Sequence, residues 1–181
     1  MITGDLMRVV SWNLNGIRAA IRKGLDDWIE EIDADIWLLQ EVRALPEQLP
    51  KDWELPTGHE VVWHPAEKKG YSGVASFSRI GMEVITRGID TKLDPDDSEG
   101  RVLVTKCGSL TCINIYLPNG GSGPARQAYK DQWLEDLLVW AKQYLSSPRT
   151  SRPRRRPQHC THRGRYLESE WESDDIGLPS S

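Results

Sequence analysis

Hydrophobic residues in the first forty positions follow two different spacings. Residues 8–16 and 36–41 each hold a short apolar run that ends in polar side chains, whereas residues 17–32 repeat apolar side chains at every third or fourth position. Short apolar runs bounded by polar residues are typical of buried strands, and the longer spacing is typical of an amphipathic helix. The pattern predicts a strand, a helix and a second, parallel strand, with Gly16 providing the turn into the helix.

Both predicted strands stop at side chains that carry oxygen ligands. The first ends near Asn13, and the second ends at Gln40 followed by Glu41. Because the carboxyl ends of parallel strands meet at one edge of a sheet, we expect Asn13 and Glu41 to lie side by side where open α/β sheets usually bind ligands. Taken alone, Glu41 is equally well interpreted as a solvated acid at a strand end.

The same patterns divide the rest of the first 148 residues into further elements. Residues 43–57 contain three prolines and predict a short helix with a loop. Residues 125–145 return to helical spacing, with an apolar face of tryptophan, tyrosine and leucine. The strands predicted between these segments cover residues 61–64, 74–78, 82–87, 102–106 and 110–117.

Composition narrows the class of protein. The net charge of −4 argues weakly against nonspecific nucleic-acid binding, since a basic surface usually dominates that affinity. The three cysteines show no Cys-x-x-Cys spacing, so we expect neither a disulfide framework nor a zinc site, and Cys107 and Cys112 fit a buried hairpin.

No apolar run approaches the roughly 20 residues of a bilayer crossing, and no signal peptide is evident. We therefore expect a cytoplasmic monomer with no membrane partner.

Polar side chains collect at the predicted strand ends. Asn13, Glu41 and Asn119 each terminate an apolar strand, and Tyr71 and Tyr116 lie at or beside such ends. A carboxylate flanked by amides suits Mg²⁺, which prefers oxygen ligands, keeps several waters and often shares them with substrate phosphates. The sequence therefore predicts one polar ligand site above the edge of a sheet.

These segments resemble the endonuclease/exonuclease/phosphatase superfamily, and most closely its exodeoxyribonuclease III and AP-endonuclease branch. Five motifs carry the resemblance in one order. They are Ser-Trp-Asn-Leu-Asn-Gly-Ile-Arg-Ala at residues 11–19, Leu-Gln-Glu at 39–41, Gly-Tyr-Ser-Gly-Val-Ala at 70–75, Glu-Gly-Arg at 99–101 and Ile-Tyr-Leu-Pro-Asn-Gly at 115–120. The resemblance implies an α/β fold, with residues 1–148 forming the N-terminal part of a four-layer α/β/β/α sandwich of the DNase I type.

The resemblance also implies a metal-dependent phosphodiesterase. Such an enzyme cuts double-stranded DNA at abasic sites and trims 3′ ends, using Mg²⁺ or Mn²⁺. Matched by position, Glu41 would bind the metal and Asn13 would support the metal site. Tyr116 and Asn119 would act as catalytic residues at the scissile phosphate, although Asn119 after Pro118 is also ordinary turn chemistry.

Four further positions are implied to contact DNA. Tyr71, Arg101 and Arg126 would grip the sugar-phosphate backbone, which suits hydroxyl and guanidinium donors. Arg43 stands where the family often has lysine. Taken singly, Arg101 and Arg126 would be solvated charges, and Tyr71 and Tyr116 would be residues at the edge of the core. Only the ordered set of motifs favours function. His59 and His64 match no motif and are expected to be structural.

Residues 149–181 differ in composition from the rest of the chain. They carry 7 Lys and Arg against 5 Asp and Glu, a balance of +2, whereas residues 1–148 carry 16 against 22, a balance of −6. The Gly-Asp-x-Asn and Ser-Asp-His motifs of the family, which orient the attacking water and stabilise developing charge, are missing. We expect this tail to lack structure, because it cannot bury enough apolar area to offset chain entropy.

Translation in a shifted frame would account for this tail. If residues 154–162 are encoded as cgt cgg cga cct caa cac tgc aca cac, reading one base later gives Val-Gly-Asp-Leu-Asn-Thr-Ala-His, which contains the missing motif. A single-base slip near Pro148 would then have replaced the second half of the domain. We expect the chain to be nearly inactive, and residues 1–148 to form roughly one sheet of the sandwich with apolar surface left exposed.

Two other functions stay open. A noncatalytic DNA-binding protein would use Tyr71, Arg101, Arg126 and the arginines of residues 149–165. A phosphatase acting on lipid or nucleotide phosphates would share the fold, but the motifs at residues 70–75 and 99–101 match the DNA-repair branch better.

Sequencing the gene across codons 140–181 tests the shifted frame. We expect codons 154–162 to encode Gly-Asp-x-Asn when they are read one base later. Codons that specify the arginines without this overlapping motif would show that the interpretation is wrong.

Overall fold

A computed structural model of the chain describes residues 6–89 and 91–146. The tail at residues 149–181 lies outside the described residues, and with it the predictions that this segment lacks structure and that it arises from a shifted reading frame. Within them the elements follow the order β1 (Val9–Asn13), α1 (Ile17–Arg22), α2 (Leu25–Ile32), β2 (Ile36–Gln40), a 3₁₀ turn (Pro46–Gln48), β3 (Glu60–His64), β4 (Val74–Ser78), β5 (Glu83–Arg87), β6 (Val102–Cys107), β7 (Leu110–Ile115) and α3 (Pro124–Ser146).

The strands form two sheets, so the expectation of roughly one sheet is wrong. One sheet has four strands in the order β1-β2-β4-β3, and the other has three in the order β5-β6-β7. β1 and β2 are parallel, as predicted, and the remaining pairs are antiparallel. Alternating hydrophobicity marks a strand but does not specify its partner, and the chain crosses to the second sheet between β4 and β5.

Helices cover the outer faces of both sheets. α1 and α2 pack on the four-stranded sheet around Trp37 and Leu39. α3 packs on the three-stranded sheet through Trp133, which contacts Val102 and Val104. The layers therefore run α/β/β/α, and the predicted fold class is confirmed.

The single helix expected over residues 17–32 is wrong, because the chain forms two helices there. Gly24 adopts a left-handed conformation with φ 83°, which ends the regular helix, and α2 starts at the next residue. Ile17, Leu25 and Ile29 are still buried. The apolar spacing thus identified the buried face correctly but not the break.

Strand β2 is buried on both faces. Trp37 and Leu39 face the helices, whereas Ile36 and Leu38 pack towards the second sheet against Cys107 and Cys112. The two cysteines are free and buried, and they lie in the hairpin of β6 and β7 that the sequence predicted. This burial leaves polar groups only at the end of β2, where the candidate site begins.

Some large apolar side chains lie on the surface. Val9 of β1 is 43% exposed, and Leu138, Val139 and Leu145 of α3 are 60%, 55% and 68% exposed. None of the helices in the described residues combines the length and the apolar composition that a bilayer crossing requires.

Gly100 provides a test of the packing between the two sheets. A Cβ added there would lie 2.5 Å from the His64 carbonyl oxygen and 2.6 Å from the Pro65 carbonyl carbon, whereas one added at Gly58 would meet nothing within 4 Å. Both glycines have positive φ, at 59° and 80°. We expect Gly58→Ala to lower the free energy of unfolding by about 1–2 kcal/mol from backbone strain alone. Gly100→Ala should lower the free energy of unfolding by about 1–3 kcal/mol more, because the backbone at His64 and Pro65 must move.

Urea unfolding of the two variants measures this difference. Equal losses at Gly58 and Gly100 would show that the segment after the acidic loop, residues 94–99, does not pack tightly against the end of β3.

Candidate active site at the edge of the two sheets

Asn13 and Glu41 meet at the carboxyl edge of the four-stranded sheet. Asn13 is the last residue of β1 and lies opposite Gln40 of β2, so Glu41 follows directly beyond the pair. The Asn13 amide Nδ2 donates to Glu41 Oε1 at 2.9 Å, and Asn13 Oδ1 accepts from the Asn15 backbone N–H at 3.0 Å. The predicted adjacency is confirmed, and the amide holds one carboxylate oxygen in place.

The chain leaves β2 through two residues in the left-handed conformation, Glu41 with φ 53° and Arg43 with φ 50°. This conformation costs about 1–2 kcal/mol for a residue with a Cβ, so other contacts must hold it. The Gly16 N–H donates to the Glu41 carbonyl at 2.7 Å, and the Arg43 N–H donates to the Ser72 carbonyl at 2.9 Å. The turn brings the Arg43 guanidinium onto Glu41 Oε2.

Three side chains set the charge of the Glu41 carboxyl. Burial by itself would raise its pKa, but hydrogen bonds from Asn13 and Tyr116, together with the charge of Arg43, outweigh burial and hold the pKa below its ordinary value. The carboxyl is therefore ionised at neutral pH. It remains 14% exposed, so solvent still reaches it.

Tyr116 supplies a neutral hydroxyl to the same place from the second sheet. Burial, followed by the hydrogen bond to Glu41, raises the pKa of Tyr116 to about 12. The phenol stays protonated at neutral pH and acts as a donor. Because Tyr116 follows β7 and Glu41 follows β2, the site joins the two sheets.

A second cluster surrounds the carboxylate of Glu99. Its Oε1 accepts from the Tyr71 hydroxyl at 3.1 Å, and its Oε2 accepts from Arg101 Nε at 2.6 Å and Arg126 Nη2 at 3.1 Å. Burial would raise the pKa of Glu99, but the two arginines lower it overall. Arg126 Nη2 also donates to the Tyr71 hydroxyl at 2.7 Å. Three of the predicted DNA contacts thus meet at one carboxylate.

Arg101 connects the two clusters and is itself only 1% exposed. Its Nη1 donates to the Tyr116 carbonyl at 3.0 Å and its Nη2 to the Tyr71 hydroxyl at 3.2 Å, while its guanidinium lies 4.8 Å from the Tyr116 ring centre. In this arrangement Arg101 faces protein groups, and Tyr71 and Arg126 carry the more accessible donors.

A buried hydrogen bond between His64 and Asp97 fixes the loop that carries Glu99. Asp97 Oδ2 lies 2.7 Å from His64 Nε2 and accepts the backbone N–H groups of Arg101 at 2.8 Å and Val102 at 2.9 Å. His64 is structural, as expected. Asp97 could not be predicted from the sequence, since the acidic loop has three other acids and no pattern distinguishes the buried one.

Among the described residues, Asn119 makes no side-chain hydrogen bond to either carboxylate cluster. It is exposed in the loop after β7, and its Oδ1 accepts the Gly121 N–H at 2.8 Å, which is the turn chemistry noted for this position. Glu99 is the main residue that sequence reasoning overlooked. Its signal was present, because it is the acid of the Glu-Gly-Arg motif at residues 99–101.

The chemistry of Glu41 fits a hard divalent cation. Within residues 6–89 and 91–146, no three His, Cys, Asp or Glu side chains gather as a metal-binding group. Mg²⁺ nevertheless needs only one or two carboxylates when water and substrate phosphate complete its ligands. Glu41 is ionised and solvent-accessible, so it can supply that carboxylate. Asn13 directs its amide nitrogen at Glu41, and its contribution would be to orient the ligand.

Comparison with known proteins identifies relatives of this chain. Residues 10–150 match the endonuclease/exonuclease/phosphatase family. An exodeoxyribonuclease from Bacillus subtilis (strain 168) is 38% identical over 136 residues, which cover 74% of this chain and 52% of that protein.

Two solved structures share the fold of the described residues. A 3′-5′ exonuclease from Neisseria meningitidis has a TM-score of 0.66 at 26% identity, covering 77% of this chain and 53% of that one. An AP endonuclease from Archaeoglobus fulgidus has a TM-score of 0.65 at 28% identity, covering 76% and 52%. The chain spans about half the length of each of these three relatives.

The contact between Glu41 and Tyr116 predicts how the protein responds to alkali. The folded-state pKa of Tyr116, about 12, lies above the ordinary value of 10.0. The folded chain therefore keeps a proton that the unfolded chain releases, so this stabilisation is intact below pH 10 and is lost as the pH rises towards 12. We expect Glu41→Gln to lower the pKa of Tyr116, because it removes the negative charge beside the phenol.

Ultraviolet titration of tyrosinate in metal-free buffer, with Tyr116→Phe to assign the signal, measures the shift. The pKa of Tyr129 is also raised to about 12, but with Glu99 and Asp94 as its charged neighbours, so it provides an internal reference. An unchanged Tyr116 pKa in Glu41→Gln would contradict the contact.

Proposed function

The chain belongs to the endonuclease/exonuclease/phosphatase family, and we propose that its site binds a divalent cation and a DNA phosphodiester, as in a DNA-repair nuclease of the exodeoxyribonuclease III and AP-endonuclease branch. The observation that carries the proposal is the ionised Glu41 carboxylate, held among Asn13, Arg43 and Tyr116 at the edge of the four-stranded sheet. The proposed substrate is double-stranded DNA with abasic sites or 3′ ends.

Glu41 would hold Mg²⁺, or Mn²⁺ in its place. When bound, the cation would neutralise charge on the phosphate and on the leaving oxygen. Asn13 fixes the rotamer of Glu41 through the 2.9 Å hydrogen bond. Arg43 is 41% exposed and pairs with the same carboxylate, so its guanidinium is accessible to an incoming phosphate.

Donors for the phosphate come from both clusters. The Tyr116 hydroxyl remains protonated beside Glu41 and is the proposed donor to the scissile phosphate. The exposed Asn119 amide is proposed as a second donor from the loop after β7. Tyr71 and Arg126 would contact the DNA backbone, and buried Arg101 would hold both in position.

Hydrolysis by this chain is proposed to be very weak. The printed sequence contains no Gly-Asp-x-Asn or Ser-Asp-His motif, so the groups that would orient the attacking water and stabilise developing charge are missing. Loss of a positioned base or of a charge stabiliser commonly costs about 10²–10⁴-fold in rate. Binding of the cation and the phosphate would persist, because it uses residues that the chain retains.

Mn²⁺ binding followed by electron paramagnetic resonance tests the proposed role of Glu41. We expect one Mn²⁺ site in wild type. Glu41→Gln should lower its Mn²⁺ affinity at least about tenfold, since even changes to residues that only orient metal ligands commonly lower the affinity by that factor. Glu47→Gln is the matched control, because Glu47 is an exposed acid on the following turn. Equal Mn²⁺ affinity in wild type and Glu41→Gln would overturn the proposal.

DNA titrations on the same proteins separate the nuclease from a noncatalytic DNA-binding protein. Traces of Mg²⁺-dependent nicking at an abasic site, abolished in Glu41→Gln, support the nuclease. Binding that falls steeply with salt, ignores the lesion and disappears on deletion of residues 149–181 supports the DNA-binding protein. Rapid incision of abasic DNA would contradict the proposed loss of catalytic power.

A further inference from the structure

Two buried side-chain amides join the sheets directly below the candidate site. Gln40, at the end of β2, is 9% exposed, and Asn114, near the end of β7, is 1% exposed. Gln40 Nε2 donates to Asn114 Oδ1 at 2.8 Å, which links strands of different sheets across 74 positions of sequence. Neither amide belongs to the site itself.

Each amide also bonds to other strands. Gln40 Nε2 lies within hydrogen-bond distance of Ser11 Oγ of β1, at 3.1 Å, and of the Leu38 carbonyl, at 2.9 Å. Asn114 Nδ2 donates to the Ala75 carbonyl of β4 at 2.9 Å and lies 3.3 Å from the Leu39 carbonyl of β2. The pair therefore connects β1, β2 and β4 of one sheet to β7 of the other.

Apolar clusters flank this pair between the sheets, and the buried Ser76 hydroxyl, 3.3 Å from Asn114 Nδ2, is a further partner of the pair. Val62, Val74 and Leu103 form one cluster, and Ile36 packs with the two cysteines in another. Apolar contacts tolerate small sliding movements, whereas a buried amide that loses its partner is left unsatisfied at substantial cost. The amide pair therefore favours one alignment of β7 over β2.

The alignment of β7 over β2 determines how Tyr116 and Glu41 lie relative to each other. Gln40 immediately precedes Glu41, and Asn114 lies two residues before Tyr116, so each amide sits at the base of one half of the site. Strands are stiff over such short distances, and a shift of β7 along β2 would move the Tyr116 hydroxyl relative to the Glu41 carboxylate.

We propose that Gln40 and Asn114 are positioning residues that set Tyr116 against Glu41 and thereby prepare the site for a divalent cation and a phosphate. This inference rests on the proposed function of Glu41 and Tyr116. It assigns to the pair a role in the site that is separable from its contribution to folding stability.

The double variant Gln40→Met/Asn114→Leu separates the two roles. Replacing both members of a buried polar pair with apolar side chains of similar shape is often nearly neutral for stability, whereas either single replacement leaves an unpaired amide. We expect the double variant to unfold at a moderately lower urea concentration, because the Ser11 hydroxyl and the Ala75 carbonyl also lose a donor. Its Mn²⁺ affinity should fall about 10–100-fold, as for other residues that orient metal ligands.

Val104→Ala is the control for a purely structural effect. Val104 is buried against α3 on the far side of the second sheet, so its truncation should lower stability without changing Mn²⁺ affinity. Asn114→Ser provides a second disruption that keeps a small polar group, in case the double variant does not fold. We expect it to weaken Mn²⁺ binding in the same direction.

Nuclear Overhauser contacts between the Tyr116 ring and the Glu41 side chain give a readout that needs no metal. We expect them in wild type and Val104→Ala, and expect them to weaken in the double variant. Unchanged contacts and Mn²⁺ affinity in a folded double variant, or equal losses in Val104→Ala, would overturn the proposal. If wild type and Glu41→Gln bound Mn²⁺ equally, the proposed function would be overturned instead. The Overhauser contacts would still show whether Gln40 and Asn114 position Tyr116 against Glu41.

Discussion

Burial of strand β2 requires every polar group at its carboxyl end to find a partner inside the protein. The strand lies between β1 and β4, with helices on one face and the second sheet on the other. Gln40 is satisfied by Asn114 from across the sandwich, and Glu41 by Asn13, Arg43 and Tyr116. The need to pair the buried polar groups of β2 therefore also assembles the site, because the partners of Gln40 and Glu41 come from three separate elements.

Charge compensation is the second feature of the site. Two half-buried carboxylates, Glu41 and Glu99, remain ionised because amide, hydroxyl and arginine donors outweigh the effect of burial on their pKa values. Around them, Arg43 and Arg126 retain solvent access. Such an arrangement presents both an anionic ligand for a cation and cationic donors for a phosphate, and a metal-dependent phosphodiesterase needs both groups within one site.

Several residues support the site without belonging to it. Asp97 and His64 hold the loop that presents Glu99, and Arg101 spans the space between the Glu99 cluster and the Tyr116 backbone. Arg101 was expected to grip DNA from its position in the Glu-Gly-Arg motif, yet its side chain is almost fully buried. A motif identifies which residues matter to a family, but it does not distinguish a residue that contacts the ligand from one that orients the contact.

The sequence by itself determined the strands, the long helix α3 and the adjacency of Asn13 and Glu41. These features follow from local periodicity and from the rule that parallel strands joined by a helix end at one edge, so no long-range information is needed. The tertiary structure alone decided that the strands divide between two sheets, that a left-handed Gly24 splits the first helix, and that Asp97 rather than its acidic neighbours is buried. It also decided that Gln40 contacts Asn114, and that Tyr116, which the sequence placed only beside a strand end, contacts Glu41 itself. Those contacts join residues about 75 positions apart, and they arise from packing that no local pattern of side chains encodes.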